Sequence, residues 1–261
     1  MKIVDFISSE RLRTFEAHTD MQHRAIALHN QTLQLGSSLM SLIALLELAL
    51  RNTTNSRLIE DFGDPNWLLP GHTSVPLRPF EQSAVRSAIR YARKAAYSKL
   101  SYREKGHLDA FAFPVGVPAG LNHQEVVRQR QNLFVVSHGQ VISQTTFSFW
   151  KRLYSEEYDA TLWKRSLKRV FPNKSFRRSD FSKALEMIYV ARNRVAHHEP
   201  IYGAKLDQAV EAFDFIRDHL GARNIGEDTS FKHFSRIQHL RVKMDLEAYR
   251  DAWATLTMPK P

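Results

Sequence analysis

An all-α protein is predicted from three observations. Apolar residues recur at helical spacing through most of the chain, long alternating strand patterns are missing, and Gly and Pro are few, ten of each in 261 residues. A first helix is expected over Glu10 to His18. A second runs from about Asp20 to Leu35, where Gly36 is a natural stop. The third, from Ser37 to about Asp61, contains LMSLIALLELALRN, which is apolar on nearly every side and so belongs in the middle of a bundle. DPNWLLPGHTSVPLRP, from Asp64 to Pro79, holds four prolines and reads as a connection.

A basic helix follows from about Phe80 to Tyr97, then GHLDAFAFPVGVPAG, from Gly106 to Gly120, as a loop or insertion. HGQVISQTTFSFWKRLY and TLWKRSLKRVF read as two shorter helices joined by the acidic turn SEEYD. Ser179 or Asp180 caps the next helix, which ends in ARNRVAHHEP. A helix near Leu206 to Leu220, a glycine-bounded turn and helical pieces around Phe231 to His239 and Leu246 to Leu256 complete the chain.

Hydrophobic residues make up 43% and aromatic residues 11%, which fits a folded chain and excludes a disordered one. With 37 Lys and Arg against 27 Asp and Glu, the formal charge of +10 attracts polyanions. Arg86, Arg90, Arg93 and Lys94 fall on one helix face, and Lys164 and Lys168 belong to a second basic stretch. Charge alone leaves RNA, DNA and acidic membranes open as the polyanion; these are the residues expected to meet it, and RNA if it is a nuclease substrate, against the plainer reading of a solvated surface. No cysteine occurs, which excludes disulfides, thiolate catalysis and cysteine-ligated metal. The start, MKIVDFISSERLR, lacks the apolar run of a secretory signal, and Leu39 to Leu50 is too short and carries Glu47, so a soluble, cytoplasmic protein without a membrane role is expected.

The segment ARNRVAHHEP, Ala191 to Pro200, carries the chemistry. On a helix, Leu185, Ile188, Tyr189, Val195 and Ala196 share a face with Arg192 in its middle. A guanidinium stays charged, so a buried Arg192 needs a carboxylate, an anion or a wet cleft. Asn193 and His197, four apart, project together from the adjoining side. The helix is expected to finish at His198 or Glu199, before Pro200, and its last carbonyls favour a protonated imidazole. Such a histidine suits proton transfer at a phosphodiester while Arg192 holds phosphate oxygens, and with a 2′-hydroxyl as nucleophile no metal or cofactor is required. The bland alternative is a histidine that caps a helix dipole and an arginine paired with a buried glutamate. Zinc is a poorer fit, since HHEP lacks the HExxH spacing. A second polar set, Glu47, Arg51 and Asn52, sits in the apolar third helix; Glu47 can pair with Arg51 along the helix or with Arg192 across the bundle.

ELALRN (Glu47 to Asn52), FSFWKRLYSEEYDATLWKRSLKRVFPN (Phe147 to Asn173) and ARNRVAHHEPIY (Ala191 to Tyr202) together resemble the Abi-like (AbiD/AbiF-type) abortive-infection proteins of bacteria, of the HEPN superfamily, over about His18 to Leu220. The resemblance implies a HEPN-type helical bundle over residues 1–221, with a loop or insertion near 104–123; residues 222–261 lie outside the resemblance and are expected as a C-terminal helical extension packed on the same domain. The resemblance also implies a metal-independent endoribonuclease in which Arg192, Asn193 and His197 form the catalytic motif, with His198, Glu47, Arg51 and Asn52 in support. A homodimer that sets two motifs across one cleft is implied, as are cleavage by 2′-hydroxyl attack, a role in phage defence or as a toxin, and a protein or structured-RNA regulator. The alternative is a non-catalytic RNA-binding or regulatory HEPN module. A helical DNA-binding regulator is a third reading, for which no helix-turn-helix is evident.

Overall fold

A computed structural model describes residues 4–224 and 226–257, with backbone alone at residues 4 and 5. The outermost ends of both expected segments, 1–3 and 258–261, lie outside the described residues. The chain is all-α, with no strand among the described residues. In chain order the helices are α1 (Val4–Ile7), α2 (Ser9–Glu16), α3 (Gln22–Phe62), α4 (Pro79–Ser98), α5 (Tyr102–His107) and α6 (Asp109–Ala112). They continue with α7 (His123–Asn132), α8 (His138–Ser143), α9 (Phe147–Arg152), α10 (Arg178–Ala196), α11 (Ala204–His219) and α12 (Ser230–Thr257). Contacts divide the chain into two units, Met1–Thr54 with Tyr154–Pro261, and Asn55–Leu153.

α3 corrects the expectation of two helices split at Gly36. It runs unbroken for 41 residues. Gly36 is buried, and a Cβ there would meet Val195 Cγ1 at 3.4 Å, so this glycine marks close approach of α3 to α10 rather than a stop. The apolar run from Leu39 to Leu50 is therefore part of a helix that, by length and composition alone, is long and apolar enough to cross a membrane. Its Leu35, Leu39, Leu42, Ile43, Leu46 and Leu50 are buried within the protein, as the core helix of a bundle requires.

In the first unit α10 packs along α11, and Phe181, Leu185 and Ile188 of α10 are buried with Leu206, Phe213 and Ile216 of α11. Tyr154, Phe171 and Phe181 form an aromatic cluster with centroids 4.9 Å apart for Tyr154–Phe181 and 4.4 Å for Phe171–Phe181. The Tyr154 hydroxyl is kept satisfied by Thr54 Oγ1 at 2.7 Å. The two terminal pieces expected at Phe231 and Leu246 are one continuous helix, α12. It is tied to the unit by Asp245, which accepts from Ser38, by His239 against Asp214 at 2.7 Å, and by Trp253 stacked on Tyr202 at 5.4 Å.

The stretch expected as a helix at TLWKRSLKRVF is instead a chain of tight turns. Glu156–Tyr158 and Leu167–Val170 are 3₁₀ and Asp159–Trp163 is a wider π turn. Side-chain demands explain it. Tyr158, Leu162, Leu167, Val170 and Phe171 must all face inward, a spacing no single helix satisfies, and Asp159 is held by Lys164 at 2.8 Å and Arg178 at 3.1 Å.

The second unit, Asn55–Leu153, is built around α4, against which α7 and α8 pack. Capping boxes start α5, α7 and α8 at Ser101, Asn122 and Ser137. The expected loop from Gly106 to Gly120 contains the end of α5 and all of α6 before it becomes irregular. Thirteen Lys and Arg face seven Asp and Glu in this unit, and every one of those carboxylates is engaged. Glu60 and Asp61 bind Arg57, Asp64 faces His72 and Ser74, and Glu81 binds Arg152. Asp109 takes Arg130 in a two-pronged pair at 2.7 Å, while Glu104 and Glu125 close capping boxes.

Candidate functional site

α10 is anchored at its start by Arg178, whose guanidinium donates to Asp159 Oδ1 and to the Tyr154 carbonyl, each at 3.1 Å. Its first-turn bond is not made by Ser179 or Asp180 acting as N-cap. The residue before the helix is Arg177, and the Asp180 carboxylate, three residues on, accepts the Arg177 backbone N–H at 3.0 Å. From there Phe181, Ala184, Leu185, Ile188 and Ala191 are buried, so the next residue, Arg192, leaves the core at its edge. Among the residues expected on that face, Leu185 and Ile188 are buried, Tyr189 and Val195 are half-buried, and Ala196 is exposed.

Arg192 is 40% exposed and donates through Nε to Glu47 Oε1 at 3.2 Å, and through Nη1 to Asn193 Oδ1 at 3.5 Å. Glu47 thus chooses the cross-bundle partner over an ion pair with Arg51. Burial raises the Glu47 carboxyl above its ordinary value of 4.5, against the pull of Arg192 and, more weakly, Arg51. Arg51 Nε is shielded from solvent and has no hydrogen-bond partner among the described residues. Asn52 is exposed. Two guanidinium groups therefore flank one reluctant carboxylate, with a donor unfilled.

The sign of the Glu47 shift is testable. The folded chain keeps this proton at pH values where the unfolded chain has lost it, so ionisation costs stability as pH rises above 4.5. Glu47→Gln removes that slope. In denaturant titrations the variant is expected to gain on the wild type between pH 4 and pH 7, and a loss over this interval would mean that the Arg192 attraction outweighs burial.

The helix ends at Ala196, earlier than the expected His198 or Glu199, and the reason is a complete αL termination. His198 takes φ 54°, its N–H donates to the Val195 carbonyl at 3.0 Å, and the Glu199 N–H reaches back to the Arg194 carbonyl at 2.7 Å. Arg194 locks the exit by donating to the Pro200 carbonyl at 2.8 and 3.1 Å. A histidine occupies the position that favours glycine, at a cost of about 1 kcal/mol. His198→Gly is accordingly expected to raise unfolding free energy by about that amount, measured by denaturant titration; an unchanged or lower value would show that the imidazole contacts outweigh the backbone cost.

The two imidazoles are placed differently. His197 is exposed at the helix end, on the line that carries the exposed Met187 and Val190, while its carbonyl accepts from Arg11 Nη2 at 3.4 Å. His198 lines a cavity of about 370 Å³ together with Arg11, His29, Gly36 and Glu199. Glu47, Arg51, Arg192 and Asn193 come together; among the described residues the His197 ring makes no hydrogen bond to that group. Arg11 was not singled out from the sequence, because nothing in SERLRTFE distinguishes it from other surface arginines.

Of the residues expected to meet RNA, Lys164 is engaged with Asp159 and Lys168 is exposed. Arg86, Arg90 and Arg93, in the other unit, line one cavity of about 510 Å³ that also takes in Arg128, whereas Lys94 is exposed and outside it. Among the described residues no group of three His, Cys, Asp or Glu is arranged to hold a metal ion. Comparison with family models, curated proteins and solved structures returns no match to this chain.

Proposed function

We propose that this chain is a metal-independent endoribonuclease of HEPN type that cleaves RNA by attack of the 2′-hydroxyl, acting in the bacterial cytoplasm in phage defence or as a toxin. The observation that carries the reading is the cluster at the end of α10, where Arg192 and Arg51 flank Glu47, Asn193 adjoins Arg192, and a shielded Arg51 N–H lacks an acceptor. The 40% exposed Arg192 guanidinium keeps its Nη2 for a phosphate oxygen. Arg192 stabilises charge on phosphorus and His197 moves the proton.

A second copy of the chain completes the site. The line of exposed Met187 and Val190 and half-buried Asn193 on α10, continued by exposed His197 at its end, with exposed Leu48 on α3 beside Glu47, is apolar enough to be covered and brings the motif to the surface that would be shared. A protein or structured-RNA regulator keeps such an activity silent.

Purified protein incubated with total cellular RNA in excess chelator is expected to cut it, leaving 2′,3′-cyclic phosphate ends. Cutting that appears only on addition of divalent metal would reject the mechanism. The alternative, an RNA-binding HEPN module without catalysis, is favoured by the fact that Glu47 already partners Arg192. It predicts salt-sensitive RNA binding and intact RNA after incubation.

A further inference from the structure

The second unit holds two adjoining cavities with opposite linings. One, about 510 Å³, is lined by Arg86, Arg90, Arg93 and Arg128 with the amides of Gln131 and Asn132, and contains no carboxylate. The other, about 410 Å³, is lined mainly by apolar groups, among them Leu69, Val75, Leu77 and Val85, with His72, Thr73, Gln82 and Arg86 as its polar members. Pro70, Arg86 and Ile89 line both, so the two form one trough with Arg86 at its waist.

Four guanidinium groups around one concavity repel one another unless something neutralises them. All seven carboxylates of this unit are already bound elsewhere, as described above, and Arg86 and Arg128 have no ion pair among the described residues. Arg93 donates to the Phe134 carbonyl at 3.1 Å and to Asn132 at 3.3 Å, which fixes its plane and leaves Nη2 for a ligand. Arg90 is held by Ser87 at 3.3 Å. Planar donors oriented in this way match phosphate oxygens. An apolar chamber opening from the same waist matches a flat heterocycle, and each volume falls in the range of small-ligand sites, about 300–1,000 Å³.

We infer that this trough binds a nucleoside polyphosphate, with the phosphate chain among Arg86, Arg90, Arg93 and Arg128 and the base and sugar in the apolar chamber bounded by Pro70 and Ile89. The inference does not depend on the nuclease reading, since its readout is binding alone. A single strand of RNA would need only the basic half; the joined apolar half is what favours a nucleotide.

The full chain is titrated by calorimetry with ATP, GTP, inorganic tripolyphosphate and a short single-stranded RNA, in chelator at moderate salt. One of the two nucleoside triphosphates is expected to bind saturably, and tripolyphosphate more weakly. Arg86→Ala and Arg128→Ala, both at exposed positions, are each expected to weaken nucleotide binding about tenfold, while Lys94→Gln, outside the cavity, leaves it unchanged. Thermal melts show whether each variant is folded. Tripolyphosphate binding as tightly as either nucleotide, RNA binding where neither nucleotide does, equal losses from Lys94→Gln, or no saturable binding would each overturn the inference.

Discussion

Arg192→Ala is expected to lower the rate of RNA cleavage by about 10²–10³-fold, the range found when a charge-stabilising donor is removed from a reacting phosphoryl or acyl centre. The fold is expected to survive. Arg192 is 40% exposed and lies beyond the last buried turn of α10, so the loss of its pair with Glu47 is a loss near the surface, where ion pairs contribute little. Glu47 left without Arg192 sits above its ordinary pKa already, and protonates more readily still. The expected signature is thus a collapse of turnover with RNA affinity and melting temperature nearly unchanged. His197→Ala is expected to share it, because that side chain is exposed and no core contact is lost. Cleavage indifferent to both substitutions would mean that the site is elsewhere.

The largest effect on stability is expected from Phe181→Ala. Phe181 is fully buried, with ring centroids at 4.4 Å from Phe171, 4.9 Å from Tyr154 and 6.2 Å from Phe176. Removing it leaves a void among three rings that cannot all move in, since Tyr154 is tethered to Thr54 and its carbonyl to Arg178. A loss of about 3–5 kcal/mol follows, a large share of the about 5–15 kcal/mol typical of whole domains. Denaturant titration measures it directly. A loss below about 1 kcal/mol would show that the cluster relaxes and that it does not hold α10 in place.

What the sequence made legible, and what it hid, follows from where each signal is stored. The all-α character and the buried face of α10 lie in local periodicity, so Leu185 and Ile188 were readable from the sequence. The single long α3 was not, because Gly36 carries the same letter whether it stops a helix or admits the side chain of Val195 from another one. The turns between Tyr158 and Val170 were hidden for a similar reason. Their course is set by Asp159 meeting Arg178, a partner nineteen residues away. At the candidate site the sequence left Glu47 with two possible partners, and only packing of α3 beside α10 selects Arg192. Arg128 escaped notice because VVRQRQN has no helical stripe of charge; it acquires significance only through the residues of α4 that share its cavity.

The left-handed residue that ends α10 also bears on whether its neighbours can replace one another. Because the chain reverses its twist at His198, the two successive imidazoles leave the backbone in unrelated directions, one toward open solvent and one toward the hollow beside Arg11. Adjacent in the text, they are not spare copies. A chain deprived of the first cannot borrow the second, and transposing the histidine by one residue would not restore what was lost.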